Sequence, residues 1–265
     1  MSVPRLQAIM ARRQILEILV KRDLRVRYAR SVLGYLWTIL DPLAMGLIYF
    51  LVFVVILKRD DAGHHPYFLF LLIGLLMWQW FNASITETAR ALLAEQKLVR
   101  STSLPRELWV VRVVIAKGIE FLLSLPILIV FTAIFAVTQG VGLNWRLVLF
   151  PVGVALEFVL LVGIGLVLAP LTVLVDDTHR VVRIVMRMLF YITPIIYTLD
   201  IVPDWLAPWF RLNPLSGILE LMRAGFFHFH VDWFAVLLSV VTTLLWLLGG
   251  VWLFAKLERA VLKEI

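Results

Sequence analysis

Long apolar runs separated by short charged connections dominate the chain. A bilayer core of about 30 Å takes roughly 20 apolar residues of helix. Six segments meet or approach that length: 36–57, 66–86, 112–137, 147–175, 181–199 and 233–255. The pattern predicts an all-α membrane protein with six transmembrane helices in a single domain. Only Asp41-Pro42 interrupts the first. The third has a charged lead-in, with Arg112, Lys117 and Glu120 ahead of its apolar stretch, and the fourth carries Glu157 between Pro151 and Pro170. The fifth is the least apolar, with Arg183 and Arg187 early and Pro194 late, whereas the sixth is clean.

Three connections are more than links. In the region 1–35, Leu6, Ile9, Met10, Leu16, Leu19 and Val20 fall on one helical stripe, with Arg12 and Arg13 mostly opposite. That pattern suits an amphipathic helix lying at the membrane interface. Residues 89–107 are polar, carry both signs of charge and approach their end at Pro105. Residues 200–232 are too apolar for a free loop. Asn213-Pro214 reads there as an N-cap followed by proline at the first helical position. Two short re-entrant helices are expected in that segment, dipping into the outer leaflet without crossing it.

Of the 265 residues, 62% are hydrophobic and 16% charged, against roughly a quarter charged in soluble domains. The formal charge of +7 could suggest nucleic acid, but the placement of the charges argues for topology. Eighteen Lys and Arg lie before helix 1, between helices 2 and 3, between 4 and 5, and after 6; the opposite connections carry five. By the positive-inside rule both termini are expected in the cytoplasm. No cleavable leader is expected, because the first insertable run begins near Leu36 after eight basic residues.

The chemistry on offer is sparse. Cysteine is absent, so disulfides and thiolate chemistry are excluded. No G-x-x-x-x-G-K-[ST], H-E-x-x-H or G-x-S-x-G motif occurs. His64-His65 and His228-x-His230 lack the convergent ligands of a zinc site. Asp176-Asp177-x-His179, beside Arg180, reads as an ordinary turn. No catalytic, cofactor or metal site is therefore expected, and any ATP and magnesium would be bound by a partner. Intramembrane Glu120 and Glu157 are by default hints of function; the plainer expectation pairs Glu120 with Lys117 and Glu157 with a polar neighbour. Trp78, Trp80, Phe81, Tyr191 and Tyr197 would either stack on sugar rings or serve as interfacial belt and core.

One stretch is more specific. Lys21-Arg22-Asp23-Leu24-Arg25-Val26-Arg27-Tyr28-Ala29-Arg30-Ser31-Val32-Leu33-Gly34-Tyr35-Leu36-Trp37, continuing to Asp41-Pro42-Leu43, resembles the N-terminal motif of ABC-2 type permeases that export polysaccharides such as O-antigen, teichoic acid and capsule. Leu98-Val99-Arg100 with Leu104-Pro105-Arg106-Glu107, Thr193-Pro194-Ile195-Ile196-Tyr197, and Asn213-Pro214-Leu215 with Arg223 resemble further family segments, in the family's order. Three positions depart from it: Leu104 replaces an aromatic, Thr193 a serine, and Asp176 the arginine of an Arg-Asp turn.

The resemblance implies a homodimer bound to two nucleotide-binding ATPase subunits, with a channel between the protomers. The substrate would be a polyprenyl-pyrophosphate-linked glycan of O-antigen, galactan, teichoic acid or capsule type. It also implies that Arg25, Arg27 and Arg30 attract the pyrophosphate, that Tyr28, Tyr35 and Trp37 sit near a gate, and that Glu95, Lys97, Leu98, Val99, Arg100, Pro105 and Arg106 belong to the loop that touches the ATPase. The alternatives are an ABC-2 permease for drugs or small lipids, a membrane-embedded glycan-modifying enzyme, and a non-catalytic assembly factor.

Overall fold

A computed structural model describes residues 11–29, 31–56, 66–140 and 142–264. Arg30, the stripe positions Leu6, Ile9 and Met10, and the pairs Asp60-Asp61 and His64-His65 lie outside the described residues. Every regular element among those described is helical. In chain order these are α1 (Arg13–Tyr28), α2 (Trp37–Phe50, extended by a π-helical turn Leu51–Ile56), α3 (Tyr67–Thr88), α4 (Ala91–Ala94), α5 (Gln96–Ser101), α6 (Glu107–Gln139), α7 (Leu149–Leu174), α8 (Thr178–Ile192), α9 (Ala207–Leu212), α10 (Pro214–Arg223) and α11 (Trp233–Glu264).

Five helical stretches are long and apolar enough to cross a bilayer: Gly34–Ile56, Tyr67–Thr88, Glu107–Gln139, Trp145–Leu174 and Trp233–Glu264. The expected fifth span differs. Its helix, α8, has 15 residues, about 22 Å at 1.5 Å per residue, and it breaks at Thr193-Pro194. A proline disfavours the helical conformation at the residue before it, and Thr193 is extended at ψ 136°. By length and composition alone, the six expected spans therefore become five and a short amphipathic helix.

α3 is the hub. It touches α2, α6, α7, α8 and α10, and 78% of its most apolar window is buried, against 11% for the Gly34–Ile56 stretch. This explains why its sequence is apolar nearly all round. α7 and α11 share the closest helix pairing, through small residues. A Cβ on Gly163 would lie 2.7 Å from the Leu247 backbone nitrogen, and one on Gly250 would collide with the Gly163 carbonyl. Membrane helices lack a hydrophobic drive to associate and rely on such close backbone contact.

The stretch after α8 is tied down by hydrogen bonds. Arg223, buried at the end of α10, donates to the carbonyls of Pro194 and Ile195 at 2.7 Å each and to that of Phe70 at 3.2 Å. Gly74 leaves room for it: a Cβ there would stand 2.6 Å from the guanidinium. Tyr67 donates to the Ile196 carbonyl at 2.8 Å, and Asn213 donates to Thr193 Oγ1 at 2.9 Å. The Asn213 side chain also caps α10 by accepting from the Leu215 amide at 3.1 Å, with Pro214 opening the helix. Segment 200–232 thus contains two short helices, packed on α11 and, through α10, on α7.

Leucine at Gly163 must force α7 and α11 apart, at a cost of about 2 kcal/mol or more. Leucine at the adjacent Gly249, which faces open space, should cost little. Melting temperatures of the two variants in detergent check this; equal loss in both would refute the assigned contact.

Candidate functional site

The N-terminal helix α1 buries only Val20, so apolar packing alone does not hold it. Ion pairs do. Arg112 of α6, whose side chain is 5% exposed, lies 3.0 Å from Asp23 and 3.2 Å from Glu95. Arg22 pairs with Asp23 and, closely, with the same Glu95. One turn further along α1, Arg27 donates to Glu87 at 2.6 Å and lies 3.1 Å from Glu120. Lys117 completes that set at 3.2 Å from Glu87 and 3.1 Å from Glu120. Each cluster holds two cations and two carboxylates, so each is neutral. Together they fasten α1 to α3, to α6 and to the α4–α5 junction.

Beyond α1 the chain reverses direction at Ser31–Gly34. The Gly34 amide donates to Ser31 Oγ at 3.0 Å, and Gly34 adopts φ +50°, a left-handed conformation that other residues rarely adopt. The turn brings the Tyr28 and Tyr35 rings to 4.3 Å between centroids. Tyr35 and Trp37 are half exposed there. Burial, reinforced by the nearby Glu120 carboxylate, pushes the Tyr28 phenol up to about 12, so its proton stays in place.

Between α2, α3 and α8 runs a groove of about 690 Å³. Tyr49, Trp78, Phe190 and Tyr191 line it, the Phe190 ring lying 5.4 Å from Trp78 and 5.8 Å from Tyr49. Asp41, Gln79, Asn82 and Thr86 supply its hydrogen-bonding groups, and Arg183 and Arg187 stand on the α8 side. Aromatic faces interleaved with amides, a hydroxyl and a carboxylate can bind a chain that is apolar on its ring faces and polar at its edges.

The expected residues divide on inspection. Trp78 and Tyr191 meet in the groove. Phe81 is buried 5.7 Å behind Trp78 and supports it, while Trp80 is core, stacked on Phe121 at 5.0 Å. Tyr197 donates to the Tyr191 carbonyl at 2.7 Å and packs on Phe210, bracing the groove without lining it. Arg25 is exposed. Arg27, expected to attract an anion, is instead engaged by two carboxylates. Glu120 pairs with Lys117 as expected and with Arg27 besides. Glu157 departs from its expectation: it is wholly buried in α7, and neither carboxyl oxygen has a hydrogen-bond partner among the described residues.

In the loop expected to touch an ATPase, Lys97 and Arg100 are exposed, Leu98, Pro105 and Arg106 are half-buried, and Val99 is buried. Glu95 turns inward to Arg22 and Arg112. The exposed apolar Leu93 joins Lys97 and Arg100 as an outward residue that sequence reasoning missed. Also missed were Gln79, Asn82 and Thr86, although their i, i+3, i+7 spacing on an otherwise apolar helix is a readable stripe.

The profile described as "ABC-2 type transporter" matches residues 14–227. The chain belongs to the ABC-2 type transporter family. It is 27% identical over 244 residues to the O-antigen export system permease protein RfbA of Klebsiella pneumoniae, covering 92% of each chain. To the RfbA of Myxococcus xanthus it is 31% identical over 239 residues, 88% of this chain and 89% of the other. The polysialic acid transport protein KpsM of Escherichia coli is 27% identical over 217 residues, 78% and 79% of the two chains. For this ABC-2 chain the family match takes in α1, the groove helices and the loop α4–α5.

Methionine at Arg112 leaves Asp23 and Glu95 without their most buried partner, a loss of about 3 kcal/mol. α1 should then become sensitive to protease in the otherwise folded protein. Arg112→Lys, which keeps the cation between Asp23 and Glu95, should retain most of the protection; an Arg112→Met protein as resistant as the parent would contradict the role given to this cluster.

Proposed function

We propose that this chain is the permease subunit of an ABC exporter that moves a polyprenyl-pyrophosphate-linked polysaccharide across the inner membrane. The observation that carries this reading is the long groove of aromatic and hydrogen-bonding side chains along α2, α3 and α8. Relatives named as O-antigen and polysialic acid transporters, matching 78% to 92% of this chain, support it. A glycan presents apolar ring faces to tryptophan and tyrosine and hydroxyls to amides and carboxylates. A permease for drugs or small lipids would need an apolar pocket and little of the Gln79–Asn82–Thr86 stripe.

Two copies of the chain would enclose the glycan, each contributing its α2–α3–α8 groove. Exposed Met45 on α2 and exposed Val181, Ile184, Val185 and Met188 on α8 fit a role as partner-facing or lipid-facing surface. In this arrangement α8 and the stretch bound by Arg223 together make the sixth crossing, and α9 and α10 are the re-entrant pair. Both termini lie in the cytoplasm, as the excess of basic residues in those connections indicates. Two ATPase subunits, which bind ATP and magnesium, dock on the α4–α5 loop at Leu93, Lys97 and Arg100.

Motion has a short route in this assembly. Force on the α4–α5 loop reaches Glu95, which holds both Arg22 of α1 and Arg112 of α6. α1 in turn carries the Ser31–Gly34 turn and the start of α2, so displacement at the loop shifts the mouth of the groove. The glycan's pyrophosphate meets Arg25 at the membrane surface, where guanidinium makes charge-assisted hydrogen bonds to phosphate.

Depletion of the protein in its host should leave full-length lipid-linked glycan on the cytoplasmic face while synthesis continues. Synthesis that stops, or no accumulation at all, would favour an enzyme or a drug permease. Within the exporter, glutamate at both Lys97 and Arg100 should abolish export and ATPase copurification while leaving the permease in the membrane. Unchanged export would remove the loop from the ATPase contact.

A further inference from the structure

A second, smaller cavity of about 200 Å³ lies between the end of α1, the start of α2, α3 and α6. Asp41 and Gln79 belong to its wall and also to that of the groove, so the two spaces meet at this pair. At about 30 Å³ per water it holds roughly seven waters, room for a ligand no larger than about one sugar ring.

Its charges do not suit a phosphate. Arg27 and Lys117 face the cavity, yet Glu87 and Glu120 hold both of them. Glu120 and Asp41 in the wall match the two cations, and Glu87, outside the wall but paired with both cations, adds a third carboxylate and leaves an excess of negative charge. The remaining polar groups are acceptors or neutral. Thr38 and Ser124 donate their protons to the carbonyls of Tyr35 and Phe121, at 2.7 and 2.6 Å, which turns their oxygens into acceptors. The Gln79 amide offers a carbonyl acceptor and an NH2 donor, and the Tyr28 phenol keeps its proton. Trp37 and Trp80 contribute aromatic surface. Hydroxyl groups donate to carboxylates and rings stack on indole, whereas a doubly charged anion would meet Asp41 and two occupied cations.

We propose that this cavity is a subsite for one uncharged sugar residue of the transported glycan, held at Asp41 and Gln79, and that it excludes the pyrophosphate. The proposal rests on the polysaccharide-permease reading and adds a place where the identity of a sugar is read inside each protomer. A site that hydrogen-bonds a hydroxyl discriminates strongly against a ligand lacking it, so the pair Asp41 and Gln79 would set specificity.

The absence of cysteine makes the test clean. Ala83→Cys places one thiol in the cavity wall with little change of volume, and Thr38→Cys provides a second position. The full chain with its ATPase partner is reacted with methanethiosulfonates carrying trimethylammonium or sulfonate groups. The cationic reagent should react about tenfold faster than the anionic one. Lipid-linked glycan purified from the host should slow labelling severalfold, Asp41→Asn should remove that protection, and inorganic pyrophosphate should give none. Faster anionic labelling, or protection by pyrophosphate, would overturn the proposal. Export is measured in the same cysteine variant: glycan export without protection overturns the subsite alone. Unchanged lipid-linked glycan on both membrane faces after depletion overturns the permease reading, while the charge preference of labelling still reports on the cavity.

Discussion

Charge removed from water is tolerated only beside opposite charge or well-placed hydrogen-bond partners, because the loss of hydration otherwise costs several kcal/mol per ion. At the end of the bundle where α1 meets α3 and α6, four cations and four carboxylates meet that requirement in two neutral sets. α1 has almost no apolar anchor, so its position, the turn at Gly34 and the start of α2 all depend on those pairs. The same pairing occupies Arg27 and Lys117, which decides the character of the neighbouring cavity. One electrostatic constraint thus links the attachment of α1, the start of α2 and the kind of group that fits in the cavity beside them.

At the opposite end the constraint is hydrogen bonding rather than charge pairing. The chain leaves helical geometry at Thr193-Pro194, and the freed carbonyls would be costly if left bare in an apolar setting. Arg223 and Tyr67 satisfy three of them, and Asn213 reaches Thr193. α8 is therefore fixed at its end and sparsely packed along its length, burying only Val182 and Met186. The central helix α3, buried nearly all round, forms the opposite wall of the groove.

Much of this was legible in the residues and some was not. The long apolar runs, the Asn213-Pro214 cap and the Glu120–Lys117 pair follow from periodicity and from spacings of three or four residues. The family resemblance rested on ordered motifs, and the profile match and the relatives that cover most of the chain bear it out. The two ion clusters were hidden because their members are far apart in the chain: Arg22 and Glu95 are separated by 73 residues, Arg27 and Glu87 by 60. The roles that the resemblance implied for Arg27 and Glu95 therefore took no account of these partners. The polar stripe on α3 was readable but masked by the high apolar content around it. α8 ends early because Thr193 turns extended ahead of Pro194 and distant Arg223 and Tyr67 supply donors to the freed carbonyls, which hydropathy does not register.

The central claim is that the α2–α3–α8 groove carries the glycan. The most direct measurement is site-specific photo-crosslinking during export, with benzoylphenylalanine at Asn82 in the groove and at Leu244 on the exposed face of α11. The account predicts covalent glycan adducts at position 82, dependent on ATP, and none at 244. Adducts at 244 but not at 82, or equal labelling at both, would contradict it.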